Sequence, residues 1–505
     1  MRSINLNPSG SVKWIAFVIL LLAFSPGYPQ SGNIDSLITC FIIENHIPGC
    51  AAMIVKDEKV VYEKYFGYAN LHTGQLVGPN TIFMLASVSK VITGSAIMNV
   101  QENGGFDLDD SVNAYLPFPV RNPYFPDVPI TFRHLMSHVS SIQDDWYVLQ
   151  PLYITGDSPI PFYDFFYGYL TPGGGYYSGN NYNNWEPETT FQYSNVGAAL
   201  CGYLTELITT EPFYDYCNDS IFSPLCMDNT SWLLSGLDTT LIARTYYYWN
   251  GIYYDFGLYG YPDYPAGQLR TTLISLAKFM QMHMNYGIFD NNRILDSATI
   301  SNILTVQFPE ITINRGLFIR KYPNDTNEVW GHRGSDVGVN TEMVFNMNEK
   351  TGVIVLSNGS TSIHPVTELL LDYALTIPEG SGTTLDCNFT STFPQSFIWT
   401  GANGTDWNDS LNWATNAVPD SSNDVIIPHV PNNPVLNPTS VIPAACKNLY
   451  ILPCAEFTIS SGMELTINGK LSISKGIDCP IIQYVILSPG KKSLILEGKL
   501  PENDK

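Results

Sequence analysis

A serine and a lysine three residues apart, Ser87-Val-Ser-Lys90, open an apolar stretch with helical spacing. One turn of helix puts such a pair on one face, so the lysine amine can reach the serine hydroxyl. A serine hydroxyl is a poor nucleophile until a base takes its proton, and a lysine kept neutral by burial can be that base. At a helix N-terminus the backbone N–H groups also point to where an oxyanion would form. The tetrad alone is weak: the same spacing recurs at Ser275–Lys278, Ser472–Lys475 and Ser488–Lys491. Two further clusters strengthen it. Tyr193-Ser-Asn195 precedes another apolar helix and offers a phenolic proton carrier and an amide donor two residues apart. Trp330-Gly-His-Arg-Gly-Ser-Asp-Val-Gly338 carries His332, which could bind or protonate a ligand, among glycines that would let a substrate backbone lie close to a strand edge. His134 and His138 have a zinc-compatible spacing but no evident third ligand, so no metal is expected.

The elements that must hold these residues can be read from periodicity. Ala51–Val55 and Val60–Phe66 alternate around the charged turn Lys56–Lys59, a hairpin. A helix follows from Ser87, with Val88, Val91, Ile92, Ser95 and Val100 on one face, until Gly104-Gly105 ends it. Further helices are expected over Val196–Leu207 and Leu273–Met284. Thr341–Asn346 and Gly352–Ser357 read as paired strands, and Leu369, Leu370, Tyr373 and Ala374 mark a closing helix. Strands at both ends with helices between them imply an α+β domain whose antiparallel sheet joins distant parts of the chain. The segment from Asp144 to Trp185, rich in Tyr, Phe, Trp and Gly, reads either as a loop over the cleft or as a self-packed one. Beyond Pro378-Glu-Gly-Ser-Gly382 the helical period stops, and short strands such as Asp424–Pro428 and Glu464–Asn468 indicate a β-sandwich or β-solenoid.

The three motifs, in this order and spacing, resemble the serine β-lactamase and penicillin-binding-protein superfamily, in the branch of class C β-lactamases, DD-carboxypeptidases and related esterases. The resemblance spans residues 45 to 376 and includes Phe83–Lys90, Ile130–His138, Pro224–Thr230 and Tyr264–Arg270. It implies a β-lactamase/transpeptidase-like antiparallel sheet flanked by helices, with a helical subdomain. It also implies Ser87 as the acylated nucleophile, Lys90 as its base and Tyr193 as the proton donor to the leaving group. Asn195 would bind the substrate amide oxygen, His332 and Gly334 would line the cleft as the third motif, and the N–H groups of Ser87 and Ser335 would form an oxyanion hole. No cofactor is implied. Relatives that hydrolyse β-lactams carry Lys where this chain has His332, which favours a peptidase or esterase. Ser141 and Gln268 stand where relatives often have glycine.

Composition bounds the rest. The chain has 505 residues, 45% hydrophobic and 14% charged, enough to bury a large core. With 24 Lys and Arg against 46 Asp and Glu, its net charge of −22 argues against nucleic acid as a partner. Residues 1–30 carry Arg2, Lys13 and an apolar run from Trp14 to Phe24, a signal-peptide pattern that implies secretion to the periplasm, cell surface or medium. Export permits disulfides, and Cys217–Cys226 and Cys40–Cys50 are near enough in sequence to pair. The expected organisation is a signal at 1–30, a hydrolase domain at 31–378 and a β-rich module at 379–505. That module is read as a means of cell-wall or surface attachment. The expected function is an exported serine hydrolase of a small-molecule or peptide amide or ester: a D-amino-acid peptide, a small ester or a β-lactam. The alternative is a non-catalytic peptidoglycan-binding or surface protein that keeps the fold.

Overall fold

In the computed structural model the described residues run from 31 to 473, with short gaps at 324–327, 392–396, 428–429, 438–443, 452–454, 461–462 and 470, and a few strand residues beyond 473. The expected signal segment lies outside them. The first domain opens with helix α1 (Ser31–Glu44), then strands β1 (Gly49–Lys56) and β2 (Lys59–Asn70). Helices α2 (Ser89–Glu102), α3 (Asn195–Thr209) and α4 (Leu273–Met284) follow, then strands β3 (Arg320–Pro323), β4 (Glu328–Asp336), β5 (Val339–Asn346) and β6 (Thr351–Ser357), and helix α5 (His364–Thr376). The strands make one antiparallel sheet in the order β3-β4-β5-β6-β1-β2. The N-terminal hairpin thus pairs directly with the last strand, as the split pattern of strands implied.

Alternation explains the layers. Cys50, Ala52 and Ile54 of β1 face Ile34 and Ile38 of α1 and Leu370 and Ala374 of α5, whereas Ala51, Met53 and Val55 face the second core with Leu276 and Met280 of α4. Helices therefore cover both faces of the sheet. The second core extends through α2 and α3 into the helical subdomain, where the Asp144–Trp185 segment has its own helix, Phe162–Leu170, with Phe165, Phe166 and Tyr169 fully buried. It packs against Phe118, Tyr203 of α3 and Tyr264 as well as on its own Tyr176, while its first residues reach the cleft.

The first domain continues past residue 378. Thr383–Thr384 pairs with Lys59 and Val60 of β2, Leu385 and Phe389 are buried in the second core, and Cys387 forms a disulfide with Cys226. This pairing replaces the two suggested from sequence proximity: Cys50 and Cys217 are buried thiols outside any disulfide. The C-terminal module stacks its strands in parallel, Asp424–Ile427 on Asn448–Ile451 on Leu471–Ile473, with a second parallel ladder from Ala444–Cys446 to Leu465–Ile467. That is solenoid geometry rather than a sandwich. Its top is closed by Trp399, Trp407 and Trp413, all buried and in edge-to-face contact. Ile398, Ile426 and Tyr450 pack with Leu76 of the first domain.

Candidate functional site

Ser87 sits in a 3-10 turn, Ala86–Val88, that runs straight into α2. The turn is entered through Ala86 with φ of 46°, a left-handed conformation costing an alanine about 1–2 kcal/mol. Three bonds hold it there. Leu85 N donates to Leu269 O at 2.8 Å, Thr341 Oγ1 of β5 donates to Leu85 O at 2.5 Å, and Leu269 N donates to Ser89 Oγ at 3.2 Å. Gly334 of β4 completes the fit. A Cβ at this position would lie 2.3 Å from both Leu85 O and Thr341 Oγ1 and 3.1 Å from Ser87 N. The sequence reading had such glycines clear space for a substrate; at Gly334 the space is filled by the turn that carries Ser87.

Lys90 is fully buried, and its Nζ lies 3.1 Å from Ser87 Oγ, 2.7 Å from Asn195 Oδ1 and 2.6 Å from Ala266 O. The Tyr193 ring lies 4.9 Å from the same Nζ, and the Tyr193 hydroxyl has no hydrogen-bond partner among the described residues. Ser87, Lys90, Tyr193 and Asn195, drawn from two helices and a loop, thus meet around one amine. Asn195 is tied at both ends of its amide, since Nδ2 donates to Asp144 Oδ2 at 2.8 Å. Its shown partners are Lys90 and Asp144, whereas the resemblance assigned it to a substrate oxygen.

Asp144 had no local signal in the sequence beyond standing at the start of the aromatic segment. It accepts four hydrogen bonds: from Asn195 N at 2.7 Å, Val196 N at 3.1 Å, Ser194 Oγ at 2.9 Å and Asn195 Nδ2. It therefore caps α3 and orients the amide that holds Lys90. Burial still pushes its carboxyl above the usual range, against the pull of those bonds. His138 supports the same corner: its Nδ1 accepts from Ser194 N at 3.3 Å and its ring stacks 4.3 Å from Tyr193. His134 caps its own short helix and meets Glu188 at 3.1 Å. The two histidines thus serve separate structural contacts.

Strand β3 pairs with β4 only from Glu328 to Gly331, so among the described residues the outer edge of β4 from His332 to Asp336 has no neighbouring strand. That free edge lies against the Ser87 turn. His332 is buried, and its Nδ1 lies 2.7 Å from Arg333 O, which fixes the proton on Nδ1 and leaves Nε2 without a partner. Burial and Lys90 drive its pKa down to about 3, so the ring is neutral. Arg333 points to the other face, bonded to Glu342 Oε1 at 2.8 Å and lying over Tyr322. Ser335 and Asp336 line a cavity of about 470 Å3 together with Ser87, Tyr193, Asn195 and Asp263. Asp263, another residue without a sequence signal, is 7% exposed, and burial beside Asp144 raises it to about 7.

The two departures from glycine are also accounted for. Ser141 adopts φ of 63°, and its Oγ accepts from Asn122 Nδ2 at 2.8 Å, a bond that offsets the strain. Gln268 bridges two backbones, accepting from Tyr261 N at 2.9 Å and donating to Trp232 O at 3.0 Å.

Residues 34–376 match the Beta-lactamase family, and residues 398–481 match a domain family of unknown function. Protein flp of Staphylococcus aureus (strain NCTC 8325) is 28% identical over 199 residues, which is 39% of this chain and 38% of that protein. The chain thus matches less than half the length of that curated relative. Among solved structures, the octameric penicillin-binding protein homologue from Pyrococcus abyssi superposes with a TM-score of 0.58 at 25% identity, covering 70% of this chain and 78% of that one. The D-amino acid amidase from Ochrobactrum anthropi SV3, complexed with L-phenylalanine amide, gives 0.54 at 19% identity, covering 68% and 98%.

Proposed function

Because the chain belongs to the Beta-lactamase family, we propose that it is a serine hydrolase that forms an acyl-enzyme on Ser87 from an amide or ester. The observation that carries this reading is the Lys90 amine, buried and 3.1 Å from Ser87 Oγ, with Asn195 Oδ1 and Ala266 O as its other two partners. With its other two contacts directed at those oxygens, the Lys90 amine is placed to take the Ser87 proton as Oγ attacks the carbonyl carbon. The carbonyl oxygen becomes an oxyanion, met by the N–H groups of Ser87 and Ser335 at the free edge of β4. Tyr193, whose hydroxyl is unengaged, passes a proton to the leaving nitrogen or oxygen as its bond to carbon breaks. Water then attacks the ester, its proton returns through the same groups, and Ser87 leaves as the hydroxyl.

The amide class is supported by the fold shared with the D-amino acid amidase. A peptidase or esterase role is favoured over efficient β-lactam hydrolysis by the neutral His332. Export is part of the proposal, supported by the apolar run from Trp14 to Phe24 and by the Cys226–Cys387 disulfide. Attachment through the C-terminal module is proposed with it; unchanged surface retention after deletion of residues past 397 would remove that part. The hydrolase reading is tested by intact mass after exposure to a fluorophosphonate. One adduct is expected on the wild type and none on Ser87→Ala, and a folded wild type that stays unlabelled would sink it.

A further inference from the structure

The following inference rests on the hydrolase reading and concerns what enters its cleft. The cavity wall carries three carboxylates, Asp144, Asp263 and Asp336, and no lysine or arginine side chain. Asp144 is committed to its four bonds. Asp263 and Asp336 have fewer partners, and the cation acting on both is Lys90, already in contact with three other acceptors. Burial holds each above the ordinary carboxylate range, Asp263 at about 7, an electrostatic cost that Lys90 and the local hydrogen bonds offset only in part. Asp336 accepts from Val337 N at 2.7 Å and hydrogen-bonds the hydroxyls of Tyr259 and Tyr261.

The cavity opens into a second hollow of about 580 Å3 that shares Trp146, Tyr153 and Asp336 with it and is walled further by Ile154 and Phe256. Trp146 and Phe256 are 50% and 47% exposed, large apolar surfaces left to solvent at the mouth of a catalytic cavity. A carboxylate ringed by aromatic rings is the environment that holds an organic cation. On the other side His332 is neutral and Arg333 faces away. Arg315 and Arg320 lie beyond the cavity wall, over the rings of Phe191 and Tyr322. A substrate carboxylate near Asp336 would meet like charge.

We infer that the substrate is an amide or ester with an ammonium group close to the scissile bond, held by Asp336 and Asp263, and an apolar or aromatic body between Trp146 and Phe256.

The test compares phenylalanine p-nitroanilide, in D and L forms, with its N-acetyl and N-succinyl derivatives, which replace the cation by a neutral and an anionic group. Wild type is expected to prefer the free amine over the N-acetyl compound by on the order of 10–100-fold in kcat/KM, with the N-succinyl compound slowest. Asp336→Asn and Asp263→Asn should each reduce that ratio, and thermal melts identify whichever variant folds. Equal or faster turnover of the neutral or anionic compound overturns the inference, and a preference for the anion would assign selection to Arg315 and Arg320. Calorimetric titration of Ser87→Ala with the same compounds reads charge preference without turnover. Tighter binding of the free amine there, with no hydrolysis by wild type, would sink the hydrolase reading and leave charge selection standing. Equal binding of the three, or binding of none at millimolar concentration, sinks the inference.

Discussion

Asp144→Ala should uncouple Lys90 from its support. The substitution removes the acceptor of four hydrogen bonds between 2.7 and 3.1 Å, two from the first backbone N–H groups of α3, one from Ser194 and one from the Asn195 amide. A bond to a charged group contributes about 1.5–3 kcal/mol net, but the four share one carboxylate and water can refill part of the space. A combined loss of about 2–4 kcal/mol is therefore expected, read as a shift in urea midpoint.

The chemical consequence is separate from the structural one. Asn195 holds Lys90 at 2.7 Å only while its own Nδ2 is anchored. Once released, the amide can rotate and Lys90 loses one of three partners, so the rate of fluorophosphonate labelling at Ser87 should fall about 10–100-fold, equivalent to about 1.4–2.7 kcal/mol. Ser194→Ala is the control. It removes the side chain that accepts from Gly197 N at 2.9 Å, a cap worth about 1 kcal/mol, and one of the four bonds to Asp144, but leaves the Asp144–Asn195 and Asn195–Lys90 bonds in place. If Asp144→Ala labels at the wild-type rate while destabilising no more than Ser194→Ala, the chain does not position Lys90 and the reasoning fails.

Gly334→Ala should push the Ser87 turn away from β4, because its Cβ would overlap Leu85 O at 2.3 Å; labelling should slow at least tenfold and stability drop by about 1–3 kcal/mol, and wild-type values for both would contradict the packing. Asp263 gives a pH signature. Its raised carboxyl, about 7 against an ordinary 3.8, means that between about pH 4 and pH 7 the folded protein holds a proton that the unfolded chain has released. That stabilising contribution is full below pH 4, is lost as pH rises through 7 and totals on the order of 4 kcal/mol. Urea unfolding at pH 4.5 and 7.5 should therefore show a shallower fall with pH in Asp263→Asn than in wild type, and identical slopes would refute it. Cys226→Ser should lose about 2–5 kcal/mol through release of the 161-residue link to Cys387, and reduction of the wild type should reproduce the loss; a variant as stable as the oxidised wild type would show that the bridge carries no load.

What the sequence disclosed was periodic or local. The alternation of Ala51–Val55 foretold both faces of β1, and the apolar spacing of Leu273–Met284 matched α4 to its ends. Ser87 and Lys90 were legible because one helical turn is enough to bring them together. The residues that set the environment were not. Asp144 and Asp263 reach Lys90 across 54 and 173 positions of chain respectively, by packing that no local pattern encodes. Thr383–Thr384 is too short to alternate, so the first domain seemed to end too early. Short strands between turns read the same in a sandwich and a solenoid, because stacking direction is a matter of register between coils rather than of pattern within a strand.

The histidine of the third motif makes physical sense once its neighbours are counted. His332 is buried on β4 with Lys90, Arg315 and Arg320 all acting on it to disfavour a charge. A lysine there would add a fourth cation to a site already desolvated, with its ammonium facing Lys90. The imidazole fills the position instead, donates its Nδ1 proton to Arg333 O and leaves an uncharged acceptor toward the interior. This changes what the reaction costs. Positive charge on Lys90, as the proposed proton transfer requires, meets no ammonium on the third-motif strand and has Asp144, Asp263 and Asp336 around it, each of which it acts on electrostatically. The same exchange removes the fixed positive charge that would draw a substrate carboxylate to β4. The electrostatic surroundings of Lys90 and the inferred selection of a cation at Asp336 are thus two results of one charge distribution.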